Sequence, residues 1–144
     1  MAEKIVEKIR EDVVEIIKKG KEVPKEVREK VKETVVTILE KTEATGENIR
    51  KITEEAVKGA VEAAKEAGGK LTDVAHSAAT GAIEAISEAG DKTKAFLKEA
   101  TAGAVKGLEH ALETAKESTK EATEKVRAEI REVIQKIRSR TEGK

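Results

Sequence analysis

The chain has 144 residues, with 29 Lys and Arg against 29 Asp and Glu, so it is formally neutral although 40% of its residues are charged. It has no Cys, Trp or Tyr and one Phe, which excludes disulfides, thiolate metal sites, thiol catalysis and a base-stacking surface. Zero net charge offers nothing to a phosphate backbone, no apolar run approaches the ~18 residues of a membrane span, and the charged opening MAEKIVEKIR does not read as a secretory signal, so a cytoplasmic location is expected.

Ala, Glu and Lys, all strong helix formers, dominate the chain, and glycine and proline punctuate it. Gly20 to Pro24 ends a first helix, and Pro24 suits the first turn of the next. Thr42–Asn48, with Gly46 among Thr and Asn, is a second break. Gly68-Gly69 is a third, with Thr72 or Asp73 as caps just beyond, and Gly90-Asp91 is a fourth. After residue 108 neither Gly nor Pro interrupts the chain until Gly143. The expected helices cover 3–19, 24–42, 47–67, 71–89 and 92–140, in one all-helical domain spanning 1–144. The weakest point of the last helix is Glu117–Thr119, where Ser118 adjoins Thr119.

An internal repeat runs through these segments. Steps of 3, 4 and 4 from Leu97 reach Ala100, Ala104, Leu108, Ala111, Ala115 and, further on, Val126, Ile130, Val133 and Ile137. The same phase runs back through Thr93, Ala82, Leu71, Ala60, Ile49, Ile38, Val27, Ile16 and Ile5, so that Thr93 here and Thr119 in the later stretch are the polar lapses. Eleven residues over three turns is about 3.67 per turn, close to the natural helix period, so the apolar stripe stays on one face of a nearly straight helix. A period of 22 is superposed: Gly59, Gly81 and Gly103 lie in KGAVEA, TGAIEA and AGAVKG. Ile, Val and Leu fill the stripe over residues 5–39 and 126–137, whereas Ala and Gly fill it over 56–122. Small residues predict close helix approach. Large residues at both ends predict that the ends pack on each other, through a reversal near Gly68-Gly69 or within a compact bundle. The fold class is therefore all-α, either a helical bundle or an elongated antiparallel helical hairpin, with an Ala-rich core.

Residues 114–126, TAKESTKEATEKV, resemble the 11-residue repeats of late-embryogenesis-abundant desiccation proteins. The KTK at 92–94 in its Val/Gly/Ala context is similar to synuclein repeats, and the 22-residue unit with Pro24 in one break is similar to exchangeable apolipoproteins. The resemblance implies amphipathic helices that settle on lipid or fold on drying. The chain departs from apolipoproteins in lacking aromatics and a Leu-rich face. Small bacterial helical proteins look similar, and the charge balance and regular Glu/Lys patterning are also features of designed helical proteins.

Candidate chemistry is sparse. Asp73 and His76 are three apart, as in metal motifs of helical bundles, but such a site needs a second motif and two further inward carboxylates. His110 has Gly107 three residues before it and lies beside Glu109 and before Glu113. Gly59, Gly81 and Gly103 sit mid-helix and match no phosphate-binding motif. The Gly103–Gly107 spacing drives membrane dimers only in an apolar segment, and here Lys98, Glu99, Lys106 and Glu109 surround it. Ser77, Ser87, Ser118 and Ser139 have no evident base and orienting partner. Glu26–Lys30, Glu54–Lys58, Glu121–Lys125 and Glu132–Lys136 read as i,i+4 supports on solvated faces. Lys136, Arg138, Arg140 and Lys144 suit the negative end of a helix dipole.

No catalytic, cofactor-binding or metal-binding residue is expected, and no cofactor. The expected function is that of a non-catalytic helical scaffold or interaction protein that associates with further copies of itself, not with nucleic acid. The alternative is an amphipathic coat on lipid surfaces or storage granules, or a protectant in drying.

Overall fold

The computed structural model describes residues 2–43, 45–68, 71–89 and 93–114, together with Ala128 and Gln135. Five α-helices follow in order, α1 (Ala2–Lys19), α2 (Val23–Lys41), α3 (Gly46–Ala67), α4 (Leu71–Ala89) and α5 (Thr93–Thr114), and no strand occurs among the described residues.

Local chemistry explains the boundaries. Gly20 takes φ +68° after α1, the left-handed conformation that costs glycine nothing. Glu22 also has a positive φ, 44°, at the N-cap of α2, and Pro24 then lies in that helix's first turn. A side chain in the left-handed region is strained, and here it is held between the end of α1 and the fixed φ of Pro24. Thr45 caps α3, its hydroxyl accepting the Asn48 N–H at 3.1 Å, while the Asn48 side-chain amide donates to the Glu43 carbonyl at 2.9 Å. These two bonds satisfy a donor at the helix start and draw Gly46 into the helix. The second break is therefore narrower than its glycine suggested. Gly68, at φ +78°, closes α3 with its N–H on the Ala64 carbonyl. Thr72 and Asp73 lie inside the first turn of α4 and not ahead of it, because the helix already begins at Leu71. The expected continuation of the last helix to residue 140, its weak point at Glu117–Thr119 and the Val126–Ile137 stripe lie outside the described residues. Ala128 and Gln135 are helical and exposed.

Each helix packs chiefly on the second helix before it: α3 on α1, α4 on α2 and α5 on α3. Two rows result, α1–α3–α5 and α2–α4, and the turns tie one row to the other. Packed partners run parallel, because contacts advance together along both: Gly103 meets Arg50, and one turn on Gly107 meets Glu54. The core lies between and along the rows. Ile9 and Val13 of α1, Val27, Val31 and Val35 of α2, and Ile49, Val57 and Val61 of α3 are fully or almost fully buried. So are Ile83 and Ile86 of α4.

Of the two expected architectures the described residues form the bundle and not the elongated hairpin, because five helices turn back repeatedly. The expected packing of residues 5–39 on residues 126–137 lies outside the described residues. Among the described residues, α1 and α2 pack chiefly against α3 and α4, one row at a time.

Candidate interaction surface

The contact between stacked helices has one recurring form. Gly59 faces the main-chain carbonyl of Val6, Gly81 that of Arg28, Gly103 that of Arg50 and Gly107 that of Glu54, a separation of 53 residues each time. A Cβ on Gly59 would lie 2.6 Å from the Val6 oxygen and one on Gly107 2.8 Å from the Glu54 oxygen, well inside contact distance. Any side chain there pushes the helices apart. Alanine completes each seam: Ala56, Ala60 and Ala63 on α3, Ala78, Ala82 and Ala85 on α4, and Ala100 and Ala104 on α5 are all fully buried. The glycines read mid-helix in the sequence are thus close-packing residues, and Gly103–Gly107 is one turn of a seam between charged helices.

Ion pairs repeat on the same 22-residue register at the edges of these seams. Arg10 of α1 meets Glu66 of α3 at 3.3 Å, and 22 residues on Lys32 of α2 meets Glu88 of α4 at 2.7 Å. Arg28 and Glu84 approach to 3.7 Å between α2 and α4. The hydrogen bond that Lys32 donates to Glu88 raises the pKa of Lys32 above the ordinary lysine value, with desolvation opposing it. Among the i,i+4 pairs, Lys51 and Glu47 close to 3.5 Å. Glu26–Lys30 and Glu54–Lys58 do not close to ion pairs.

Among the described residues, no helix covers the incoming faces of α1 and α2. Where α3, α4 and α5 have small seams, α1 presents Asp12, Glu15, Ile16 and Lys19. These four line a groove of about 280 Å³ whose other wall is Glu26, Glu29, Lys30 and Glu33 of α2. Five carboxylates face two lysines there, and Asp12 Oδ2 is shielded from water without a hydrogen-bond partner. No group of three or more His, Asp or Glu among the described residues is arranged to hold a metal ion.

The other candidates are dispersed. Asp73 is exposed on α4 and His76 is half-buried one turn on, and among the described residues no further His, Asp or Glu joins them in a metal-holding group. His110 lies on α5, and its side chain lies outside the described residues, as do Ser118, Ser139, Glu121–Lys125, Glu132–Lys136 and the basic residues from Lys136 onward. Ser77 is buried in the core at 6% exposure, whereas Ser87 is exposed. No histidine–serine pair is brought together by a hydrogen bond among the described residues. No described helix is long and apolar enough to cross a membrane. Comparisons with protein-family models, curated proteins and solved structures find no match to this chain.

Sequence reasoning overlooked the contrast between covered and uncovered helices. The signal was present: 22 and 44 residues before Gly59 stand Thr37 and Glu15, and both are exposed. Only the three-dimensional register shows that position to be the point of closest helix approach.

Proposed function

We propose that the protein is a non-catalytic helical-repeat scaffold that works by presenting its charged outer faces to other macromolecules, further copies of itself included. One observation carries this reading: the small-residue stripe over α3, α4 and α5 is consumed by helix–helix packing, with Ala60, Ala82 and Ala104 fully buried. A coat protein on lipid or granules needs that stripe free for the surface. Here, removing it from the stack exposes the apolar faces of two helices for every one withdrawn, and an Ala stripe regains little on insertion. The ridges left outside are ion-paired and polar, the composition of a rim that sets orientation and partner choice.

A far-UV circular dichroism melt in plain buffer, paired with vesicle flotation, tests the proposal. A cooperative transition and no co-flotation with neutral or anionic vesicles are expected. Weak helicity in buffer that rises on co-flotation replaces the scaffold reading with the coat reading.

A further inference from the structure

We infer that α1 and α2 form a terminating cap that keeps a second copy of the chain from adding to this end of the stack, with Glu15–Ile16 and Thr37–Ile38 as the stop residues. The 22-residue register aligns these pairs with Gly59-Ala60, Gly81-Ala82 and Gly103-Ala104. In all three covered helices the pair is Gly-Ala, and both of its residues are buried against the helix below. In both uncovered helices it is a bulky polar residue, exposed, followed by a half-buried isoleucine.

The physical effect of the exchange follows from the seam geometry. Even the single Cβ of alanine at Gly59 would sit 2.6 Å from the carbonyl of Val6. A glutamate at the corresponding place on α1, or a threonine on α2, adds further atoms, so no helix reaches the spacing that α3 has on α1. Ile16 and Ile38 pack against the core and occupy with their own side chains part of the space an added helix fills elsewhere. Charge works in the same direction. Glu15 stands in a groove of mostly negative sign, and a helix covering it would strip water from five carboxylates that only two lysines, Lys19 and Lys30, are there to balance. Stacked-helix proteins need such polar ends, because an open seam is a ready interface for a helix face of another copy.

The inference concerns one end of the molecule and stands apart from whether the scaffold reading holds. It is tested by opening the seam in the full chain. Glu15→Gly with Ile16→Ala, and separately Thr37→Gly with Ile38→Ala, are analysed by light scattering over a concentration series. Variants that retain wild-type helicity are expected to rise to about twice the wild-type mass; such variants remaining at wild-type mass overturn the inference. A second measurement does not depend on those variants folding. The chain has no cysteine, so Glu15→Cys and Thr37→Cys each introduce a unique thiol at an exposed position. Both thiols are expected to react with a maleimide at the same rate in dilute and concentrated protein. Protection on concentration shows the face to be an interface and overturns the cap.

Discussion

Gly81 of α4 lies directly against the main-chain carbonyl of Arg28 on α2, and the Arg28 side chain reaches on to Glu84 one turn later at 3.7 Å. One residue therefore supplies both the backbone that the seam touches and the charge that borders it. The pairing fixes the sliding register of two parallel helices, which hydrophobic contact alone leaves loose. A shift of one residue would replace Gly81 with a side chain and separate Arg28 from its carboxylate.

Gly81→Ala is expected to destabilise the protein by about 1–3 kcal/mol, in spite of the ~1 kcal/mol that alanine gains over glycine in a helix interior. A Cβ there meets backbone, which cannot rotate away. Gly46→Ala is the control. Its Cβ would meet the carboxylate of Glu99, 2.9 Å away at the end of a flexible side chain, so a neutral or slightly favourable change is expected. Urea denaturation of both variants decides the matter. Equal stabilities would show that the seams tolerate separation.

Ala82→Leu enlarges a side chain with no exposed surface in the α2–α4 seam, and a loss of about 1–3 kcal/mol is expected from overpacking. Ile83→Val, at the adjacent buried position, removes a methylene and should cost about 0.5–1.5 kcal/mol through a small void. Losses in both directions of volume mark a close-packed site. A raised melting temperature for Ala82→Leu would mean that the seam holds spare room.

The element boundaries were legible because Gly20, Pro24 and Gly68 act through local backbone geometry, which sequence encodes directly. The close-approach role of Gly59, Gly81 and Gly103 was legible as well, since a mid-helix glycine in good helix-forming surroundings has few other uses. Which helix each glycine meets was not. An 11-residue stripe specifies an apolar face and its straightness, but it is the same on every helix and names no partner. The pairing of α1 with α3 depends on turn lengths and on the complement between large residues such as Ile9 and small ones such as Gly59, where an added Cβ would lie 3.1 Å from that of Ile9. The acidic groove was hidden for a related reason. Asp12 and Glu29 lie in different helices, and each reads alone as an ordinary solvated charge.

Lys32 and Glu88 make a small part of the stability pH-dependent. The hydrogen bond that Lys32 donates to the Glu88 carboxylate raises the folded pKa of Lys32 above its ordinary value of 10.5, which is the value expected in the unfolded chain. A raised folded pKa means the contribution is fully present below the unfolded value and is lost as pH rises through the folded one. Glu88→Gln should therefore lower the melting temperature slightly between pH 7 and 9, and the difference from wild type should vanish once the lysine is deprotonated. Because Lys32 retains 32% and Glu88 60% of its side-chain exposure, solvent screens the pair, and added salt should shrink the effect at neutral pH. A difference that persists at strongly alkaline pH would assign the effect to packing.

Thr53 separates local from interhelical hydrogen bonding. It has no exposed surface, its Cβ lies 3.1 Å from where a Cβ on Gly103 would sit, and its hydroxyl donates to the Ile49 carbonyl of its own helix at 2.8 Å. That carbonyl is already an acceptor in the α-helical ladder, so removal of the hydroxyl orphans no buried group. Thr53→Val keeps the shape. It loses a hydrogen bond worth about 1 kcal/mol net and gains burial of a methyl worth about 0.8 kcal/mol, and stability should stay within ~1 kcal/mol of wild type. Thr53→Ser keeps the bond, deletes the methyl and leaves a void against α5, so it should be the less stable of the two by about 1 kcal/mol or more. Denaturant midpoints of the two variants rank these terms. If Val were the worse by ~2 kcal/mol, the hydroxyl would have to be bonding across the seam to α5, and the α3–α5 contact would be held by more than close packing.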